Sequence, residues 1–414
     1  MSNVHYFVPN YVQENRKENG MIIKNLANNA EIELSDEELD DYYCLKKYGA
    51  TDIQSEMAQI LIQEDFLVTA DRQAELYKLC LDQLSRTLFV VIMPTEACNF
   101  RCIYCYETHD PVTMSRTTIS GVKNFISDLL KDHTFDDLQI SWFGGEPTLC
   151  TEIMEDVMKF AHDTVVHLSP NTKVHSTITT NGYNLDNQTF IRLLEVGIDS
   201  YQITLDGFLH DQKRFLKNGG KTLNRIVDNL LSIHQLDLSY QFEILLRNNI
   251  LAGDSDFNWY DYLHSLFGND PRFSYSVIPV VKLGGKHDNM FEVEDDDILV
   301  NKHLAYLHQL GMNVTPRLTD GPLSGVCFAA YPYGYVIRAD GSIGKCTIEL
   351  YDPMCTIGKI TGAGVFIDHE KEAFWIDESF DEKCCSCKDG LICMNRACPI
   401  KRMHSGDKHF CIQR

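Results

Sequence analysis

The chain has 414 residues, 44% of them apolar, and 37 basic against 59 acidic side chains for a net charge of −22. That length exceeds one ordinary core and implies two or three domains, and the acidic excess excludes a non-specific grip on nucleic acid or an anionic membrane. The opening "MSNVHYFVPN" lacks a basic region followed by an apolar run, and stretches such as "TLFVVIMP" fall short of the roughly 18 residues of a membrane span, so the expected location is the cytoplasm.

Residues 1–85 read as a small separate unit. Two β-like runs, "HYFVPNYV" and "GMIIKNL", flank a polar turn, and "LSDEELDDYYCLKKYG" then begins a helix with Ser35 and Glu38 spaced as a capping box. Helical pattern continues through "SEMAQILIQEDF" and "RQAELYKLCLDQL". No cluster of reactive side chains accompanies these elements, which suits a binding module better than a catalytic one.

From residue 86 to 312 the texture is a regular alternation. The β-rich runs "TLFVVIM", "LQISWF", "VHSTITT", "SYQITL", "YQFEILLR" and "FSYSVIPVV" alternate with helical stretches such as "TTISGVKNFISDLLKD", "EIMEDVMKFAHDTVV" and "LNRIVDNLLSIHQL". Such repeated βα units predict an α/β fold with a parallel sheet, a partial six-unit TIM-like barrel, with function gathered in the loops after the strand C-termini. From 313 to 414 the alternation stops. That segment is rich in Gly, Pro, Asp and Cys, has short strand-like pieces such as "YGYVIRA" before "DGSIGKC", and is expected to draw stability from bound metal.

The 15 cysteines sharpen the reading. In a reducing compartment clustered thiols hold metals more often than they form bridges, and 12 of them fall in two groups, three at 98 to 105 and nine from Cys327 onward. In "EACNFRCIYCYE", Cys98, Cys102 and Cys105 follow the first predicted barrel strand. Structural zinc closes four ligands, usually as paired CxxC units, whereas a tight group of three leaves one coordination position open. A cuboidal 4Fe-4S cluster on three thiolates has one iron available to a non-protein ligand.

This spacing, CxxxCxxC with the aromatic Tyr104 before the last Cys, resembles the signature of the radical S-adenosylmethionine enzymes. The resemblance implies that the cofactor's methionyl group chelates the unique iron and that an electron from the cluster splits it to methionine and a 5′-deoxyadenosyl radical, which takes a hydrogen atom from substrate. Further elements follow successive strands in the family's order. "WFGGEP" supplies Gly144, Gly145, Glu146 and Pro147, matching the element whose backbone and Glu contact the methionyl amino group. "TITTNG" supplies Thr179, Asn181 and Gly182, at the position that contacts the ribose. "LDGFLHDQKRF" supplies Asp206, Gly207, His210, Asp211 and Arg214, and the resemblance gives Arg214 the methionyl carboxylate.

The Cys-rich segment resembles the SPASM extension of such enzymes, which carries two auxiliary 4Fe-4S clusters, three clusters in all. The resemblance assigns Cys384, Cys387, Cys393 and Cys411 to the outer cluster and Cys327, Cys346 and Cys398 to the inner one. Cys398 follows Cys393 by four intervening residues where the pattern has three, and Gly321 stands where some relatives place a further ligand. Either Cys355 completes the inner set or its iron is open to a substrate thiolate. Cys385 is an unused neighbour of Cys384, and Cys44, Cys80 and Cys150 are expected to be inert buried thiols.

Two relatives compete for the activity. In anaerobic sulfatase maturases, which make formylglycine, an Asp proposed as base follows the Cys of the Gly-x4-Cys element; here Thr347 follows Cys346. The peptide maturases commonly carry an N-terminal winged-helix-like element that adds a leader peptide as an extra strand, and residues 1–85 resemble it. The resemblance therefore implies a maturase that abstracts hydrogen from a ribosomally made precursor peptide and installs a Cys thioether or a carbon–carbon link, with an electron donor such as a flavodoxin or ferredoxin. A non-catalytic metal-stabilised binding protein is the contrasting expectation.

Overall fold

The computed structural model describes residues 4–51, 53–268, 270–286, 288–293, 297–315, 323–376, 387, 389–394, 398–400 and 404. The chain divides into two compact units: Met1–Arg86 with Leu318–Pro332 and Ala373–Arg414, and Thr87–Arg317 with Tyr333–Glu372. The expected third region, 313–414, is thus shared between the two units. Cys384, Cys385 and Cys411, and Gly321, lie outside the described residues. Among the described residues no helix is long and apolar enough to cross a membrane.

The first unit holds an antiparallel sheet of β1 (Val12–Lys17), β2 (Gly20–Asn25) and β3 (Glu31–Ser35), in that order, and helices α1 (Leu39–Tyr48), α2 (Glu56–Gln63) and α3 (Ala70–Leu84). Met21 and Ile23 alternate inward on the central strand and join Tyr42, Leu61, Phe66 and Tyr77 in one core, which Leu391 and Ile392 complete. Ser55 and Thr69 cap α2 and α3 by accepting from the amides of Ala58 and Arg72.

Two expectations are corrected here. The first strand is the polar "VQENRK", while Tyr6 and Phe7 make only isolated bridges to Ala50 and Val68. β1 is an edge strand with its outer half exposed, so apolar content did not mark it. Ser35 ends β3, and its amide and hydroxyl both donate to Glu38 Oε2, at 2.8 and 2.6 Å. The pair closes the turn into α1, whose N-cap is Glu38 and not Ser35.

The second unit is built on a ten-stranded sheet ordered β13-β12-β11-β10-β4-β5-β6-β7-β8-β9. The six expected strands are β4 (Thr87–Ile92), β5 (Asp137–Trp142), β6 (Lys173–Thr180), β7 (Ser200–Thr204), β8 (Glu243–Ile250) and β9 (Phe273–Pro279), all paired in parallel. β4 and β9 are not neighbours, so the barrel is open. Helices α4 (Arg116–Asp132), α5 (Thr151–Leu168), α6 (Asn187–Glu195), α7 (His210–Lys213), α8 (Leu223–His234), α9 (Asn258–Phe267) and α10 (Asp297–Gln309) connect or follow these strands. Each long helix buries one stripe, as α4 does with Val122, Phe125, Ile126 and Leu130.

β10 (Gly334–Ile337), β11 (Ser342–Gly344), β12 (Thr356–Thr361) and β13 (Gly364–Ile367) extend the sheet beyond β4. β10 runs parallel to β4, pairing Gly334 with Phe89 through Ile337 with Ile92. "YGYVIRA" is therefore a fully buried strand of the main sheet, not a fragment of a separate tail. Its C-terminus points to the same end as that of β4, where the motif cysteines begin.

Candidate active site

The loop after β4 carries Cys98, Cys102 and Cys105, and all three line a cavity of about 480 Å³ at the strand C-termini. Tyr104, Gly144, Gly145, Glu146, Thr179, Asn181 and Arg214 share its wall. Pro147 and Asp206 are not part of that wall. Pro147 is a buried first residue of a short 3-10 turn, and Asp206 stands behind Tyr104.

Several contacts hold the cysteine loop, backbone bonds from Arg101 and Ile103 to the Phe215 and Lys213 carbonyls among them. Asn99 Oδ1 accepts from Asn181 Nδ2 at 2.8 Å, the Phe100 amide donates to Cys98 Sγ at 3.3 Å, and His109 Nε2 lies 3.2 Å from Cys105 Sγ. Burial is the largest cause raising all three thiol pKa values, that of Cys105 to about 12, so without metal the sulfurs keep their protons. Burial likewise lowers His109 to about 4, leaving it neutral.

The Gly-Gly pair has a sharper role than approach to a ligand. Gly144 has φ +118°, and a Cβ there would stand 2.4 Å from Thr95 O; one at Gly145 would stand 2.3 Å from Ala97 O. The Gly145 and Glu146 amides donate to Thr95 and Ala97 carbonyls at 3.2 and 2.9 Å. The glycines press the loop after β5 against the backbone leading into Cys98, and any side chain would part them.

Glu146 is 1% exposed and organises the next loop. Its Oε1 accepts from the Thr148 amide and hydroxyl and from the Thr180 hydroxyl, and its Oε2 from the Asn181 amide at 2.7 Å. Burial pushes its pKa up against the pull of these donors. Oε2, with one protein donor, is the oxygen left to meet an ammonium.

A second network fixes Tyr104. Its hydroxyl donates to Asp206 Oδ2 and accepts from Arg214 Nη1 at 2.9 Å and Asn249 Nδ2 at 3.0 Å. Asp206 Oδ1 takes the Asn249 amide at 3.0 Å. Arg214 lies over the Phe100 and Tyr104 rings at about 6 Å, and its Nε is buried with no hydrogen-bond partner among the described residues. One guanidinium edge is spent on the protein and the other is left for an anion.

Several residues escaped sequence reasoning. Arg247 and Asn249 close β8, Glu107 follows the cysteines, Ile278 and Pro279 end β9, Val280, Val281 and Leu283 follow it, and Thr347 and Ile348 follow Cys346; all touch the cavity. The strand end "LLRNN" was the available signal for Arg247. Thr347 and Ile348 are brought there by the β10–β11 hairpin; Tyr106 Oη donates to Thr347 O at 2.9 Å, and the Thr108 amide donates to Tyr351 Oη at 3.0 Å a few residues on. Arg338 and Glu96 form a bidentate pair at 2.7 and 3.1 Å that ties the end of β10 to the same loop. Burial, then Glu96, raises Glu107 to about 8.

Cys346 and Cys355 are both buried, and the Cys355 thiol lies 3.5 Å from the Cys346 carbonyl. Cys327, Cys387, Cys393 and Cys398 belong to the other compact unit. Cys80 and Cys150 are buried as expected, but Cys44 is exposed, since it falls on the outer face of α1.

His210 yields a pH test. It is fully buried, the Asp206 amide donates to its Nδ1 at 3.1 Å, and its Nε2 meets no partner among the described residues. Burial, with Arg214 and Lys213 acting in the same direction and Asp211 against, lowers its pKa to about 3. Between about 6.5 and about 3 the unfolded chain takes a proton that the folded one refuses, so stability falls as pH falls through that window. Urea unfolding should show the wild type losing about 2 kcal/mol more than His210→Asn between pH 6.5 and pH 5.

The donor set fits the expected group: three thiols on one loop, one cavity, an acid and an arginine with positions left for an ammonium and a carboxylate. A model of the Radical SAM superfamily matches residues 92–251. The GTP 3′,8-cyclase of Lactiplantibacillus plantarum is 27% identical over 184 residues, 42% of this chain and 49% of that protein. The chain spans about half the length of the curated relatives it matches. Among solved structures, anSMEcpe with bound AdoMet and Kp18Cys peptide is similar with a TM-score of 0.52 at 18% identity, over 75% of this chain and 88% of that one. Streptococcus suis SuiB bound to precursor peptide SuiA is similar with a TM-score of 0.51 at 15% identity, over 98% of both chains. At these identities the two structures speak for the fold. The cysteine loop, the superfamily match and the fold agree: residues 92–251 carry a Radical SAM domain, whose fold implies S-adenosylmethionine and a 4Fe-4S cluster.

Proposed function

We propose that the protein is a peptide maturase, taking a hydrogen atom from a ribosomally made precursor peptide and joining a Cys sulfur to the resulting carbon centre. The observation that carries this reading is the fold likeness along 98% of the chain to a protein bound to its precursor peptide, N-terminal unit included. The sheet β1-β2-β3 has two edge strands and three accompanying helices, which suits a winged-helix-like element that adds a leader peptide by strand pairing. Thr347 stands where a sulfatase-type maturase would have its Asp, which disfavours formylglycine formation.

Bound S-adenosylmethionine and its cluster would supply the 5′-deoxyadenosyl radical. Cys98, Cys102 and Cys105 would hold the iron, Glu146 Oε2 and Arg214 the methionyl amino and carboxylate groups, and Thr179 and Asn181 the ribose side. Ile278, Pro279, Val280, Val281 and Leu283 give the cavity an apolar side. Cys384, Cys387, Cys393 and Cys411 are proposed for an outer auxiliary cluster, and Cys327, Cys346 and Cys398 for an inner one that Cys355 completes or that stays open to the substrate thiolate. A flavodoxin or ferredoxin would deliver electrons.

The test is anaerobic reconstitution with S-adenosylmethionine, dithionite and a synthetic Cys-containing precursor peptide, taken from whichever short Cys-containing open reading frame genome sequencing finds beside the gene. The expected result is 5′-deoxyadenosine and a peptide lighter by two hydrogen atoms for each crosslink. An unchanged peptide mass overturns the reading, and turnover of GTP in a parallel reaction would replace it with the cyclase activity of the relatives.

A further inference from the structure

Arg247 lies at the C-terminal end of β8, in register with Thr204 on one side and Ser276 on the other, and its side chain lines the cavity. Nε donates to Asn249 Oδ1 at 2.7 Å, and Asn249 is itself pinned by Tyr104 and Asp206, so the guanidinium plane is held from behind. Nη1 and Nη2 make no hydrogen bond within the described residues. The nearby carboxylate, Asp206, has both oxygens engaged, by the Tyr104 hydroxyl and the Asn249 amide. Arg247 is half-buried, and neither terminal nitrogen is a buried atom without a partner, so both face the open cavity where a ligand can replace water on them, while burial of the rest of the side chain depresses its pKa.

Two arginines thus face one cavity, and their neighbours differ only in part. Both sense Tyr104 and Asp206, and Arg214 adds Cys102 and a hydrogen bond to the Tyr104 hydroxyl. Arg247 adds Tyr106, whose hydroxyl reaches the Thr347 carbonyl, and pairs in register with Ser276 of β9. That side carries the apolar rim of Val281 and Ile348, 54% and 42% exposed, which suits an incoming chain with apolar side chains.

We propose that Arg247 anchors the substrate peptide, its two terminal nitrogens gripping a backbone carbonyl beside the residue that loses hydrogen while an apolar side chain of that segment rests on Val281 and Ile348. This rests on the peptide-maturase reading. Arg247 is then a positioning residue: a fork of two donors sets the distance and the angle of one C–H bond, which a single ammonium does poorly.

The experiment uses the full-length reconstituted enzyme and the same synthetic Cys-containing peptide, comparing wild type with Arg247→Ala and Arg247→Lys. Iron content and S-adenosylmethionine affinity report whether the variants fold and load. The expected result is S-adenosylmethionine affinity within about twofold of wild type, kcat/KM for the peptide lowered about 10- to 100-fold in Arg247→Ala, fewer crosslinks per 5′-deoxyadenosine released, and partial recovery in Arg247→Lys. Unchanged kcat/KM and coupling in Arg247→Ala overturn the inference alone. Weakened S-adenosylmethionine binding in a variant with full iron content also overturns it, assigning Arg247 to the cofactor. A wild type that leaves the peptide unchanged overturns the maturase reading and this inference with it.

Discussion

Cys102→Ala should leave the protein short of one 4Fe-4S cluster and abolish reductive cleavage of S-adenosylmethionine, a loss on the order of 10⁴-fold or more, equivalent to about 5 kcal/mol of barrier. Cys102 is the middle ligand of a loop whose three thiols share one cavity wall, and two thiolates cannot hold a cuboidal cluster with one open iron. Held by iron as a thiolate, its sulfur would also add a negative charge beside the Arg214 guanidinium. Cys44→Ala is the matched control. Cys44 is exposed on α1 in the other compact unit, and its loss should change neither iron content nor turnover. Iron and sulfide analysis beside 5′-deoxyadenosine release checks both variants, and a Cys102→Ala protein that kept its full iron would sink the ligand assignment.

Asp206→Ala should be the most destabilising single change in the cavity network, by about 3–5 kcal/mol. Asp206 is 2% exposed, and its two oxygens neutralise a site that includes Arg214 and orient the Tyr104 hydroxyl and the Asn249 amide. Removing it leaves a buried guanidinium with no carboxylate beside it and a backbone N–H with no acceptor, each an uncompensated desolvation. For a unit of this size the expected drop in Tm is roughly 6–20 °C, measurable by scanning calorimetry. Asp206→Asn keeps an acceptor for the Asn249 amide but not the charge, so it should fall between wild type and alanine. Equal Tm values for all three would show that Asp206 contributes no net stabilisation. Because Asn249 also braces Arg247, Asp206→Asn should weaken peptide coupling with most of its fold retained.

How much of this was readable in advance depends on the range of the interaction. The strands β4 to β9 are marked by runs of β-branched and aromatic residues within five to eight positions, and α4, α5 and α8 by one apolar stripe each. The cysteine loop and the elements after β5, β6 and β7 follow their strands directly, so finding the strand placed the residue. Strands with polar edges broke the rule: β1 was displaced and β3 missed, because an edge strand in water needs few apolar side chains.

The sequence alone determined the local chemistry: which residues are thiols, where each loop follows a strand, and that three cysteines share one turn of chain. Those depend on spacing along the backbone, which the sequence states outright. The tertiary structure alone decided what each of these residues meets. It seats β10 on β4 and so delivers Thr347 and Ile348 to a cavity opened by a loop far earlier in the chain. It turns Gly144 and Gly145 toward Thr95 and Ala97, joins Tyr104, Asp206, Arg214 and Asn249 in one network, and leaves Arg247 with two donors facing the cavity. Such partners are chosen by strand order and packing across the whole sheet, and no pattern of period two or 3.6 along the chain encodes them.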